Sequence, residues 1–203
     1  MQSGLHSRSA LVLGLALLSA PPALGAERVL ILDPAKSAIQ FELPATLHTV
    51  HGHLVLARGE IHFDDAPGSG AASGEIVADA RSAATDNERR DRKMHDEVLE
   101  SARFPEIVLE PERLDVRRID ASHAEVTLTG ELAIHGASHR ISIPADLTAL
   151  APDRLRVRAR FTVPYVSWGM KDVSNLVLHV DAAVEVEIDA EGSLAPPLEP
   201  APG

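Results

Sequence analysis

Arg154-Leu155-Arg156-Val157-Arg158-Ala159-Arg160-Phe161-Thr162-Val163 carries an apolar residue at every second position. Further on, Ala182, Val184, Val186 and Ile188 alternate with Ala183, Glu185, Glu187 and Asp189. A period of two gives a strand one apolar face and one wet face. The wet face of the first segment is a row of arginines, and that of the second is acidic. Antiparallel neighbours set such side chains opposite one another, each opposite-charge pair contributing about 0.2–1 kcal/mol. The two segments are therefore expected to pair. Between them lies Pro164-Tyr165-Val166-Ser167-Trp168-Gly169-Met170-Lys171-Asp172-Val173-Ser174-Asn175-Leu176, which holds the only Trp and the only Tyr of the chain. It reads as a loop at the mouth of a barrel or sandwich. An equal reading has Trp168 only plugging one end of the core.

The totals narrow the class. The chain has 203 residues, no Cys and a formal net charge of −11. Residues 1–26 read as a secretory signal: Arg8, then a short apolar run from Ala10 to Ala20, then Pro21-Pro22 and the small residues of Ala23-Leu24-Gly25. The run is too short to span a bilayer. Cleavage near Gly25 or Ala26 removes Arg8 and no acid, leaving a mature charge of about −12. That balance argues against nucleic acid and against anionic membrane surfaces as partners. No second apolar stretch is long enough to cross a membrane, so stable insertion is not expected. Residues 27–190 are long enough to bury one core as a single domain. Residues 191–203 are Pro-rich and read as a disordered tail.

Taken in order, residues 28–33 and 37–43 read as two short strands around an Asp33-Pro34 turn. Residues 49–63 read as a long strand. Its apolar parity switches from Val50, Leu54 and Leu56 to Ile61 and Phe63 near Arg58-Gly59, as a bulge would make it do. Residues 64–74 form a turn region and 75–81 another strand. Residues 85–99 are the one helix, with Thr85 and Glu88 spaced as a capping box. Met94, Val98 and Leu99 give it a narrow apolar stripe, so it should lie on the surface and cover something. Phe104-Pro105 ends it. Strand patterns resume at Ile107 and Leu109, at Val126 to Ile134, and after a His135-Gly136-Ala137-Ser138 hairpin turn. About eight strands with short turns predict an antiparallel barrel or sandwich. The inward set is Val, Ile, Leu and Ala, and aromatics are only 3%. A lumen lined that way suits a hydrocarbon chain better than a stacked aromatic cofactor.

Four stretches together resemble the YceI-like family of bacterial secreted proteins. They are Leu32-Asp33-Pro34-Ala35-Lys36-Ser37-Ala38-Ile39-Gln40-Phe41 with Leu47-His48-Thr49-Val50-His51-Gly52; Arg90-Asp91-Arg92-Lys93-Met94-His95 running to Phe104-Pro105-Glu106-Ile107; Thr129-Gly130-Glu131-Leu132-Ala133-Ile134-His135-Gly136; and the loop from Pro164 to Asn175. They span roughly residues 30–189. The resemblance implies an all-β, extended lipocalin-like antiparallel β-barrel of about eight strands with one surface helix. It implies non-enzymatic, periplasmic binding of a polyisoprenoid or similar amphiphilic lipid, quinone-type molecules included, for transport or storage. On that reading Phe41, Phe104, Phe161, Tyr165 and Trp168 are the expected ligand-binding residues. No catalytic residue, metal or cofactor beyond a bound isoprenoid lipid or quinone is expected, and homodimerisation stays open.

Other chemistries compete. His48, His51 and His53, with a third ligand from His95, His135 or His139, could bind zinc as a metalloprotein or hydrolase, although no convergent third ligand is visible in the sequence. Ser167 or Ser174 with His179 makes a triad on paper, without a nucleophile elbow. A ligand-free envelope stress or interaction module with a filled core is the remaining alternative. Arg90-Asp91 reads as a structural pair tying the helix to the barrel, or else as a headgroup contact.

Overall fold

The computed structural model describes residues 27–46, 48–64, 70–174 and 179–195. The segment read as a signal (1–26) and the tail beyond 195 lie outside them. Eight strands follow in order: β1 Glu27–Leu43, β2 Val50–Asp64, β3 Ala72–Ala84, β4 Glu106–Arg118, β5 His123–Ile134, β6 Ala137–Ala151, β7 Arg154–Val163 and β8 Val184–Ala195. Each pairs antiparallel with the next, and β8 closes on β1. The sheet is a closed barrel, so it leaves no free edge strand. A short helix, α1 Glu88–Lys93, runs into a π-helical turn at Met94–Val98 between β3 and β4.

The arginine and acid strands do pair. Leu155, Val157, Ala159, Phe161 and Val163 stand opposite Gly192, Ala190, Ile188, Val186 and Val184. Outside, the charges join mostly on the diagonal: Arg154 to Glu191 at 2.5 Å, Arg156 to Asp189 at 2.6 Å, Arg158 to Asp189 at 3.3 Å and Arg160 to Glu185 at 2.8 Å. The Arg156 hydrogen bond holds the Asp189 carboxyl below the usual carboxylate range. These side chains are largely exposed, so each pair is screened by solvent. Arg158→Ala is expected to lower stability by less than about 1 kcal/mol in a denaturant titration.

The parity switch in β2 is present as a register shift between Leu56 and Arg58. Leu56 faces in before it, and Gly59 and Ile61 face in after it. Arg58 turns outward and donates to Glu75 of β3 at 2.6 Å and Glu106 of β4 at 3.0 Å. It thereby spans the short β3–β4 ladder, which runs only from Ile76↔Leu109 to Asp79↔Glu106.

Three local readings are corrected. Residues 28–43 are one strand, not two around a turn. Asp33 Oδ1 accepts from the Ala35 N–H at 3.0 Å and Ser37 Oγ donates to the Asp33 carbonyl at 2.7 Å, but this local turn is held inside β1 as a bulge between its two partners. The helix is capped by Asn87, whose side chain accepts from the Arg90 N–H, and not by a Thr85–Glu88 box. It is also shorter than the 85–99 pattern suggested, because Thr85, just past the end of β3, lies in the connection before the helix, which starts at Glu88. Finally, β8 continues to Ala195 through Leu194, which pairs with Leu30, so residues 191–195 are strand.

Thr85 explains the Arg90-Asp91 pair. It is buried at 5% exposure. Its N–H donates to Asp91 Oδ1 at 2.9 Å and its hydroxyl donates to the same oxygen. Arg90 donates to the Thr85 hydroxyl oxygen at 2.7 Å and to its carbonyl at 2.5 Å. The helix is thus clasped to the first residue beyond β3, with Asp86 taking the tight corner at φ 57°.

Candidate functional site

The inward faces of all eight strands surround a cavity of about 820 Å³. Its wall is aliphatic: Ile39 of β1, Leu54 of β2, Ile76 of β3, Leu109 of β4, Leu132 of β5, Ile143 of β6 and Ile188 of β8, with Phe161 of β7. It lies toward the end of the barrel where β3 meets α1 and β7 meets the loop 164–183. Met94, Val98 and Leu99 line it from the helix side, and Tyr165, Met170, Val173 and Val180 from the loop side. The apolar stripe of the helix therefore does cover something: the mouth of the cavity. The π-turn bond from Leu99 N–H to the Met94 carbonyl, at 2.9 Å, closes over the same opening. Arg89, Arg92, Lys93, Asp96, Glu97 and His48 form its polar rim. Lys171 of the loop reaches Glu97 of the helix at 2.6 Å and holds that carboxyl below its ordinary range.

A larger hollow, about 1050 Å³, lies elsewhere. Arg113, Arg117, Asp115 and Glu125 line it and pair among themselves, Arg113 with Asp115 at 2.5 Å and Arg117 with Glu125. Beside these pairs stand Phe63, Leu114, Val116 and Val126, together with Arg118, Arg158 and Arg160, so its lining mixes charge with apolar surface, whereas the barrel cavity has the apolar walls a lipid chain needs. The barrel cavity is the candidate site.

Of the five aromatic residues expected at the site, Phe41, Phe161 and Tyr165 line the cavity. Phe41 lies across Gly52, its cross-strand partner; a Cβ there would sit 2.2 Å from its Cζ. Burial, together with the Asp172 carboxylate, holds the Tyr165 phenol above the ordinary tyrosine range. Phe104 and Trp168 do not line the cavity. Phe104 folds over the β5–β6 turn, where His135 and Gly136 both take positive φ, 52° and 79°. Its ring meets His135 at 5.1 Å, and a Cβ on Gly136 would come within 2.5 Å of it. His135 is fixed from the other side by Glu100 at 3.0 Å. Trp168 stacks flat on His139 of β6, with centroids 4.3 Å apart and planes 2° apart. The β6–β7 ladder begins only at Ala145↔Ala159, so the first half of β6 has no β7 partner. The loop carrying Trp168 packs there instead, with Tyr165 and Met170 in one cluster with Ile141 and Ile143.

His48, His51 and His53 are all exposed. His51 sits 3.3 Å from Glu42, and His48 is on the cavity rim. Among the described residues no three His, Asp or Glu side chains are grouped to hold a metal. Ser167 donates to the Pro164 carbonyl at 2.9 Å and Ser174 to the Val180 carbonyl at 3.1 Å, so neither hydroxyl is set against His179 as a nucleophile. No helix among the described residues is long and apolar enough to cross a membrane.

A closed eight-stranded antiparallel barrel with an aliphatic lumen under a helix-and-loop rim defines a lipocalin-like class of binding barrel. The chain belongs to the YceI-like domain family, which it matches over residues 31–192. Among solved structures it is similar to a polyisoprenoid binding domain from Saccharophagus degradans, with 20% identity, 82% of this chain and 98% of that chain covered, and a TM-score of 0.64. It is also similar to BcnA from Burkholderia cenocepacia, with 14% identity, 79% and 98% covered, and a TM-score of 0.62. The Campylobacter jejuni YCEI protein aligns with 13% identity, 93% of each chain covered and a TM-score of 0.50. At such identities the likeness concerns fold. Comparison with curated proteins gives no match.

Proposed function

We infer that the barrel binds one polyisoprenoid or similar amphiphilic lipid chain, such as an isoprenoid quinone, in its lumen, without chemistry on it. The observation that carries this reading is the aliphatic cavity of about 820 Å³ reached past the rim of α1 and the 164–183 loop. An isoprene unit withdraws five carbons from water, about 4 kcal/mol gross at roughly 0.8 kcal/mol per carbon. About four buried units give roughly 16 kcal/mol gross, which reaches micromolar affinity where the association cost is about 8 kcal/mol, inside its range of roughly 4–15 kcal/mol. No charge inside the wall is needed for that. The Saccharophagus degradans domain, whose fold this chain shares, binds polyisoprenoid by its description. The signal-like segment 1–26 supports export to the periplasm, where such binding would serve transport or storage of the lipid.

The test is mass spectrometry of organic extracts from the mature chain purified without detergent. A stoichiometric isoprenoid lipid is expected. A clean extract, together with no uptake of added polyprenol, would contradict the reading.

A further inference from the structure

The cavity stops partway along the barrel. Its wall ends at Ile39 on β1, Leu54 on β2, Phe161 on β7 and Ile188 on β8. The next inward apolar positions toward the opposite end are Leu32, Leu56, Ala159 and Ala190, and all four are buried. Leu32 and Leu56 share one packed cluster with Leu30, Ile61 and Ala190, and the wall residues Leu54, Ile76 and Ile188 rest on it. The sequence devices that build this floor are specific. The β1 bulge flips parity, so that Leu32 and Ile39 both face inward. Glycines on both neighbouring strands then admit the Leu32 side chain. A Cβ on Gly59 of β2 would lie 2.8 Å from Leu32 Cδ1, and one on Gly192 of β8 would lie 3.2 Å from Leu32 Cδ2.

We propose that Leu32 and Leu56 are the stop of a length gauge: they set how many isoprene units the lumen accepts. This rests on the reading that an isoprenoid chain occupies the cavity. A chain shorter than the distance from rim to floor gains affinity with every unit added. A longer one leaves its extra units outside the wall, where they gain nothing.

The experiment is equilibrium binding of a polyprenol series, from farnesol and geranylgeraniol upward, to the wild-type chain and to variants whose folding is checked by thermal melts. In the wild type, affinity rises with length and then levels off. Leu32→Ala with Leu56→Ala removes about six carbons from the floor, room for about one isoprene unit. The levelling point moves about one unit longer, and the first chain past the wild-type limit binds at least about ten-fold tighter than to the wild type, and up to several hundred-fold tighter where the whole extra unit is buried. Because two such deletions can unfold the barrel, Ala159→Val is measured as well; it raises the floor and moves the levelling point shorter. Identical length profiles in the folded variants overturn the gauge while leaving lipid binding intact, as does a wild-type affinity that never levels off. No binding by the wild type at any length overturns the function and the gauge together.

Discussion

Replacing Phe161 with aspartate is expected to empty the barrel. Phe161 stands on β7 opposite Val186, half-buried, and its ring is part of the cavity wall. The residues around it in the core cluster are apolar, among them Ile143, Val163 and Leu132. Deleting a core phenylalanine alone costs about 3–5 kcal/mol where it is fully buried, and less where it borders a cavity. Aspartate adds a carboxylate without a partner in the wall, so it must either draw water into the lumen or stay protonated. Both outcomes remove the apolar surface that would hold a chain. The variant should lose at least about 2 kcal/mol in stability and, where it still folds, should carry no lipid through purification. Phe161→Leu keeps an apolar wall and should retain both stability and lipid. A folded Phe161→Asp protein with unchanged lipid content would mean that the chain binds elsewhere.

Asp91→Ala acts on the mouth rather than on the wall. The Asp91 carboxylate accepts both the backbone N–H and the hydroxyl of buried Thr85, while Arg90 donates to the oxygens of the same residue. Removing the carboxylate strands the two donors of buried Thr85 and leaves Arg90 as the only side chain of the clasp. An unsatisfied buried donor costs about 1–3 kcal/mol, so the loss should be about 2–4 kcal/mol. The damage is centred on the mouth, because the clasp ties α1 to the residue after β3, while Val98 and Leu99 still pack against the core cluster and Lys171 still holds Glu97. Release of a bound chain should therefore quicken more than stability falls. The check pairs a denaturant melt with a release assay into acceptor vesicles. A variant that melts earlier but releases lipid at the wild-type rate would remove the helix from the gate. Asp91→Asn keeps one acceptor and should lie between the two.

Much of the frame was legible because its causes are local and repeated. The alternation and opposite charges of Arg154 to Arg160 and Glu185 to Asp189 identify two neighbours without reference to anything else. The parity switch at Arg58-Gly59 marks a bulge in one strand from its own residues. The misreadings arise where a local signal competes with distant pairing. Asp33-Pro34 carries real turn chemistry, yet β2 and β8 flank the strand and hold the turn inside it as a bulge. Thr85 and Glu88 have capping-box spacing, but Thr85 sits just past β3 with its N–H and hydroxyl given to Asp91, which leaves the cap to Asn87. The six-residue reach from Thr85 to Asp91 turns a corner and so follows no helix or strand period. Among the aromatics, all five named were expected at the lumen. Phe41 and Phe161 lie on strands at inward positions, whereas Phe104 and Trp168 lie in connections and cover the β5–β6 turn and the unpaired half of β6. Gly136 beside Phe104 was a usable signal, since a turn glycine leaves a surface that a ring can cover. Val173 and Val180, which close the cavity from the loop, have no periodic neighbours to betray them.

The most direct test of a lipid chain in the lumen is isotope-filtered NMR on the mature protein loaded with carbon-13-labelled polyprenol. Chain protons are expected to show cross-relaxation to the methyl groups of Ile39, Ile143, Val186 and Ile188, which face inward on three different strands. Contacts confined to exposed Ile31 and Val55 on the outer surface, or none at all, would contradict the account.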